Sequence, residues 1–229
     1  MIEIVSATRM SKSEFWKKSA LGFSLKRLAT DARLTSYIAY ENRRGLPEVF
    51  NARITSQSSH EILVFIHDDV WIDDYFLADR LLEGFKTYDV IGVAGNRRRI
   101  PNQPAWAFIS VTDKGVWDDQ VNLSGSVAHG PYPFGSVRFY GDAPAECELL
   151  DGVFLATKKS ILTNHEVLFD PHFNFHFYDM DFCRSARNKG LRLGTWPICL
   201  THQSVGAFNS PNWREKLSLY LEKWETKPS

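Results

Sequence analysis

Glu61-Ile62-Leu63-Val64-Phe65-Ile66-His67-Asp68-Asp69 holds an unbroken apolar run, Ile62 to Ile66, that ends on an imidazole and two carboxylates. Apolar side chains at every position, without alternation, suit a strand buried on both faces, as in a parallel sheet. Upstream, Ile2 to Val5 reads as a short strand that runs into the polar Ser6-Ala7-Thr8. A helical stretch follows over Ser13 to Leu28, opened by Ser11 or Ser13 as N-cap. Leu34 to Tyr40 carries the β-branched and aromatic weight of a strand. Gly45-Leu46 breaks the chain, and Pro47 suits the first turn of a helix running to Ile54. Downstream, Asp74 to Phe85 has helical spacing, and Val90 to Ala94 is a second buried strand. Strands alternating with helices point to an α/β fold with an open, mostly parallel sheet flanked by helices.

From Arg97 to about Glu146 the character changes to Gly, Pro, Trp and Asn, with short strands expected at Trp106–Val111 and Val137–Tyr140. Leu149 to Ala156 restores an apolar strand, and Lys158 to Leu162 reads as a short helix. Phe173 to Phe177 places Phe at every second residue, a period-2 pattern. Asp179 to Lys189 is helical and stops at Gly190. Leu191–Thr195 and Ile198–Thr201 read as strands, and residues 211–224 as a closing amphipathic helix. The expectation is one domain over residues 1–229 with an irregular insertion at about 97–146.

Of 229 residues, 44% are hydrophobic and 24% charged, with 27 basic and 27 acidic side chains. Zero net charge excludes nucleic-acid binding through bulk positive charge, though not a local patch. No apolar run approaches the roughly 20 residues of a membrane span, and Met1 to Arg9 does not read as a secretory signal. Three cysteines (Cys147, Cys183, Cys199) without CxxC spacing fit neither a disulfide framework nor a zinc knuckle. They suit a reducing, cytoplasmic setting.

Chemistry has three candidate seats. His67-Asp68-Asp69 lies just past a strand, where ligands bind in open α/β sheets. Adjacent carboxylates repel unless a cation neutralises them, and a divalent ion carrying diphosphate oxygens is the natural partner. The plainer alternative is a turn cap beside a solvated Asp. Tyr178-Asp179-Met180-Asp181 precedes a helix bearing Arg184 and Arg187. Its acids are either helix-terminus charges, with Asp181 paired to Arg184, or include a general base on a rigid helix end. His202, again just past a strand, is either structural or a nitrogen ligand completing a mixed shell for Mn²⁺.

In this order the three seats resemble the nucleotide-diphospho-sugar glycosyltransferases of the GT-A fold, nearest the family-2-like group. Gly45 to Ile54 followed by Val64 to Val70 looks like that group's approach to its acidic metal motif. Leu150-Asp151-Gly152-Val153-Phe154 resembles its acceptor-side strand, and Phe177 to Phe182 with Gly190-Leu191-Arg192 its acidic helix. The resemblance runs from about Ile2 to Ala207.

The resemblance implies a metal-dependent transfer of a sugar from a nucleotide donor, a UDP-sugar by first choice, to an acceptor hydroxyl. It implies that Ser6, Ala7, Thr8 and Asn42, near Glu41, hold the nucleotide, with Asp68 turned to the ribose or the metal. Asp69 would sit on Mn²⁺ or Mg²⁺ with His202 as the remaining protein ligand, since His67 stands where an Asp is usual. Asp151 and Gly152 would face the acceptor, and Asp179 would be the general base of an inverting displacement. A non-catalytic sugar- or nucleotide-binding module on the same fold is the alternative. The acceptor is unassigned, and a nucleic-acid acceptor is disfavoured by the neutral charge. Arg97-Arg98-Arg99 reads either as a phosphate contact or as a solvated triplet. Trp106, Trp117, Tyr132 and Tyr140 read either as stacking walls for a sugar or as packing.

Overall fold

The structure, a computed structural model, describes residues 1–57, 59–112, 114–204 and 208–225. The chain opens with β1 (Ile2–Ala7), α1 (Lys12–Lys18), α2 (Ala20–Arg27), β2 (Leu34–Ala39), α3 (Leu46–Ile54), β3 (Ile62–Ile66) and β4 (Val70–Ile72). It continues through α4 (Leu77–Gly84), β5 (Val90–Gly92), β6 (Ala94–Asn96), β7 (Phe108–Val111), β8 (Gly115–Trp117), β9 (Leu123–His129) and β10 (Ser136–Gly141). The last third holds β11 (Ala145–Glu146), β12 (Leu149–Leu150), β13 (Phe154–Lys158), α5 (Lys159–Asn164), α6 (Tyr178–Asn188), β14 (Leu193–Thr195), β15 (Leu200–His202) and α7 (Pro211–Glu225).

A seven-stranded sheet has the order β11-β14-β5-β13-β3-β1-β2. Strands β1, β2, β3, β5 and β14 run one way, while β13 and β11 run the other. The all-buried β3 is the reason for the two-layer cover. Ile62, Val64 and Ile66 join Phe15, Leu21 and Leu81 on one face, and Leu63 and Phe65 join Phe50, Ile54 and Phe182 on the other. Each such large side chain removed from water contributes about 1.5–3 kcal/mol.

A second, six-stranded sheet, in which β10 pairs only with β9, has the path β12-β6-β9-β15-β4. Two apolar stretches expected as single strands each divide between the sheets. The chain leaves β5 at Val93 and enters β6, and it leaves β12 at Asp151 and enters β13. The expected helix over 13–28 is likewise two helices. Ser19, in extended conformation, ends α1 and caps α2 by accepting the Gly22 N–H at 2.9 Å. Its side chain competes with the helical ladder for local backbone partners.

Phe173 to Phe177 is not a strand. Phe173 and Phe177 pack against Tyr220 of α7, whereas Phe175 is exposed and stacks on His67. The 97–146 stretch is more regular than expected, since it supplies β7 to β10. Among the described residues no helix is long and apolar enough to cross a membrane.

Candidate active site

β3 delivers His67, Asp68 and Asp69 at its carboxyl end, and the chain turns directly into β4. β4 pairs antiparallel with β15, with His202 opposite Val70. That register brings His202 Nε2 to 3.3 Å from Asp69 Oδ1. The Gln203 N–H donates to the Asp69 carbonyl at 3.0 Å and locks the arrangement. His67, Asp69 and His202 offer ligand atoms within 4.8 Å of one another. Burial works to raise the Asp69 carboxyl, but the hydrogen bond and charge of His202, with His67 and Ser204, pull it down to about 2. Burial opposes protonation of His202, and Asp69 outweighs it and raises the imidazole.

His67 has a defined tautomer. Tyr178 Oη donates to the Gly152 carbonyl at 2.7 Å, so its contact with His67 Nε2 at 2.9 Å assigns the proton to Nε2. Burial lowers the His67 pKa, and a neutral ring then keeps its lone pair on Nδ1. One ionised carboxylate beside two imidazoles is a donor set that fits a first-row divalent cation such as Mn²⁺. His67, absent from the ligands expected from sequence, belongs to the cluster. Its adjacency to Asp68-Asp69 was the available signal.

The acidic helix start is built by close packing. Phe177 caps α6 in the left-handed region, with φ +65° and no side-chain cap bond. Such a conformation costs a bulky residue on the order of 1–3 kcal/mol and persists where surrounding packing dictates it. Here Phe177 packs on Trp213 and Tyr220, with ring centroids at 5.3 Å from each. Tyr178 is thereby directed at Gly152, where a Cβ would lie 2.5 Å from Tyr178 Oη and 2.9 Å from Asp179 Cβ. The Gly152 N–H donates to Asp179 Oδ2 at 2.9 Å. Burial, and then the charge of Asp151, pushes the Asp179 carboxyl up to about 6.

Asp181 does not pair with Arg184. Its buried Oδ1 accepts from Trp224 Nε1 at 2.8 Å and lies 2.7 Å from Lys223 Nζ, whereas Arg184 meets Glu225 at 2.6 Å. α7 therefore claims both side chains. The arginine triplet is also divided, with Arg98 on Asp118 at 2.5 Å and Arg99 3.6 Å from Glu225.

Asp68, Asp69, Asp151, Gly152, Asp179 and His202 share one open cavity of about 730 Å³ with Ala7 and His67. Ser6 is fully buried, and among the described residues its hydroxyl has no hydrogen-bond partner. Thr8 is buried behind the cavity and bonds Asp68, whose carboxyl burial raises and that bond restrains. Asn42 is half-buried, folded on its own loop by bonds to the backbone of Arg44, and its N–H reaches the Thr8 carbonyl at 2.8 Å. Trp106, Trp117, Tyr140 and Arg138 line the same cavity, while Tyr132 is exposed and outside this lining. Arg138, His129, Phe175 and Trp213 are further lining residues that sequence reading did not single out.

No curated protein matches the chain. Among solved structures it is similar to TarS of S. aureus (TM-score 0.51, 11% identity) over 96% of this chain and 38% of that one. It is similar also to GalNAc-T7 (TM-score 0.54, 10% identity) over 95% of this chain and 47% of that one. The chain thus spans less than half the length of either, and at such identity the likeness establishes the fold, that of the GT-A glycosyltransferases. Residues 35–216 match the glycosyltransferase-like family, and the chain belongs to that family.

Proposed function

We propose that the chain, as one domain, is a nucleotide-sugar-dependent glycosyltransferase that moves a sugar to an acceptor hydroxyl with inversion. The observation that carries this reading is a carboxyl at a helix start, Asp179, held by the Gly152 N–H and raised to about 6, in the same cavity as a metal-type cluster. The donor is a UDP-sugar by first choice; GalNAc-T7, of the same fold, was crystallised with UDP, GalNAc and Mn²⁺.

His67, Asp69 and His202 would hold Mn²⁺ or Mg²⁺, which supplies charge neutralisation for a departing nucleoside diphosphate. Asp68, restrained by Thr8, faces the donor, and Ala7 lines its end of the cavity. Ser6 has no accessible surface, so its part is to place the backbone of Ala7 and Thr8, and Asn42 closes the same loop. Asp151 and Gly152 line the acceptor side. The acceptor oxygen bonds to the anomeric carbon as the carbon–oxygen bond to the diphosphate breaks. The bonding pair leaves with the diphosphate, and the acceptor proton passes to Asp179. A carboxylate with a pKa near the working pH both accepts that proton and drives the transfer. The three free cysteines, two of them buried with thiols pushed up by burial, agree with a reducing cytoplasm.

The test is release of nucleoside diphosphate from a panel of UDP-, GDP- and dTDP-sugars, with Mn²⁺ or with EDTA. Turnover with Mn²⁺ that EDTA abolishes and Asp179→Asn suppresses supports the reading. Donor binding without turnover would leave a sugar-nucleotide-binding module, and no binding to any donor overturns both.

A further inference from the structure

The cavity contains four carboxylates, Asp68, Asp69, Asp151 and Asp179, and a single Lys or Arg side chain among its lining, Arg138. Several other arginines of the chain are committed to carboxylates, as Arg53 is to Glu3 at 2.8 Å, Arg98 to Asp118 and Arg184 to Glu225. Arg138 is not. Among the described residues its guanidinium has neither a carboxylate within ion-pair distance nor a hydrogen-bond acceptor. It lies instead over the Trp117 ring, 4.0 Å from the centroid, and 5.7 Å from that of Tyr140. Trp117 and Tyr140 are themselves stacked at 18°.

A guanidinium resting on an aromatic face keeps its N–H edge free while its orientation is fixed in advance. That is the geometry for bidentate capture of a carboxylate or phosphate. The strand of Arg138 lies on the sheet that reaches Asp151 on the proposed acceptor side: β10 pairs with β9, β9 pairs with β6, and the Asp151 N–H donates to the Ala94 carbonyl of β6 at 2.9 Å. Arg138, itself exposed, and the buried Tyr140 both line the cavity, while Val137 and Phe139 of the same strand are exposed and outside its lining.

We propose that Arg138 is a specificity-determining residue that selects an anionic acceptor, a glycoside bearing a carboxylate or phosphate. The proposal rests on the glycosyltransferase reading for the word acceptor, but its test needs no transfer. Methyl β-glucuronide, glucose 6-phosphate and methyl β-glucoside are titrated at pH 7.5 into the parent, Arg138→Gln and Arg138→Lys, with UDP plus Mn²⁺ titrated separately into each protein. The expected result is that the parent prefers a charged probe over the neutral glucoside by about tenfold or more. Arg138→Gln abolishes the preference, Arg138→Lys retains part of it, and UDP affinity is unchanged in all three. The better of the two charged probes identifies the anion. Equal binding of charged and neutral probes, or no binding of a charged probe, overturns the proposal. So does loss of UDP affinity in Arg138→Gln, which would put the guanidinium on the donor diphosphate. Failure of UDP to bind the parent while the charged preference persists would count against the nucleotide-donor reading alone.

Discussion

The backbone N–H of Gly152 holds Oδ2 of Asp179 at 2.9 Å, while the space a Cβ would need at 152 is taken by the Tyr178 hydroxyl. One residue therefore both orients the proposed base and admits the helix that bears it. Gly152→Ala is expected to push the start of α6 away, lowering stability by about 1–3 kcal/mol through overpacking. Turnover should fall by roughly 10² or more, since small misplacements of a reacting group are costly. Thermal unfolding and steady-state kinetics on the same preparation separate the two effects.

Asp179→Asn removes the proposed base without changing its volume, and kcat is expected to drop by about 10²–10⁴. In the parent the carboxylate form is the active one, so the rate should rise with pH through about 6 and then level off. Stability runs the other way. A carboxyl whose folded pKa is raised favours folding below its unfolded pKa, and that contribution is lost as pH climbs through about 6. Asp179→Asn should thus be more stable than the parent at pH 7.5, by on the order of 1 kcal/mol, and level with it near pH 4. A pH–rate profile and denaturant melts at the two pH values check both signs.

Metal binding should appear as stabilisation. At a hundred times its dissociation constant Mn²⁺ adds about 2.7 kcal/mol to the folded state. The expected outcome is a clear rise in Tm for the parent and little for Asp69→Asn or His202→Ala. His67→Phe should fall between them if the lone pair at Nδ1 contributes. A parent whose Tm ignores Mn²⁺ would remove His67, Asp69 and His202 from consideration as a cation site.

Asp181 is buried at the α6–α7 junction and depends on Lys223 and Trp224. Lys223→Met strands its charge, and breaking a buried pair in this way costs about 3–5 kcal/mol. Lys223 is partly exposed, so the lower end of that range is expected. The double variant Lys223→Met with Asp181→Asn should recover much of the loss, which chemical denaturation would measure.

Much of this molecule can be read from local patterns. The β3 run is recognisable because burial on both faces forbids alternation, and the helix after Pro47 because its start signals coincide. What local patterns miss are events decided by distant partners. Val90 to Ala94 looks like one strand, yet β5 pairs with β13 and β14 while β6 pairs with β9 and β12. The alternating Phe173 to Phe177 has the period of a strand but packs on helix α7 instead. Asp181 and Arg184 have helical pair spacing, and α7 outbids that local pairing with Lys223, Trp224 and Glu225. The site follows the same rule. Asp69, His202, Asp151 and Asp179 stand out as acids and an imidazole at element ends, whereas Arg138 shows nothing in sequence beyond its place in a short strand.

The ribbon of β4 and β15 also carries a lesson about time. Thr201 donates to Asp73 across a sequence separation of 128, immediately beside the His202–Asp69 contact. Contacts of such separation form late, because the loop must close before they return any stabilisation. During synthesis, β1, β2 and β3 can associate while the imidazole that completes the cluster has yet to be made. A nascent chain therefore presents Asp68 and Asp69 as bare, mutually repelling carboxylates. The His67, Asp69 and His202 cluster is complete only once β15 has been made and has paired with β4.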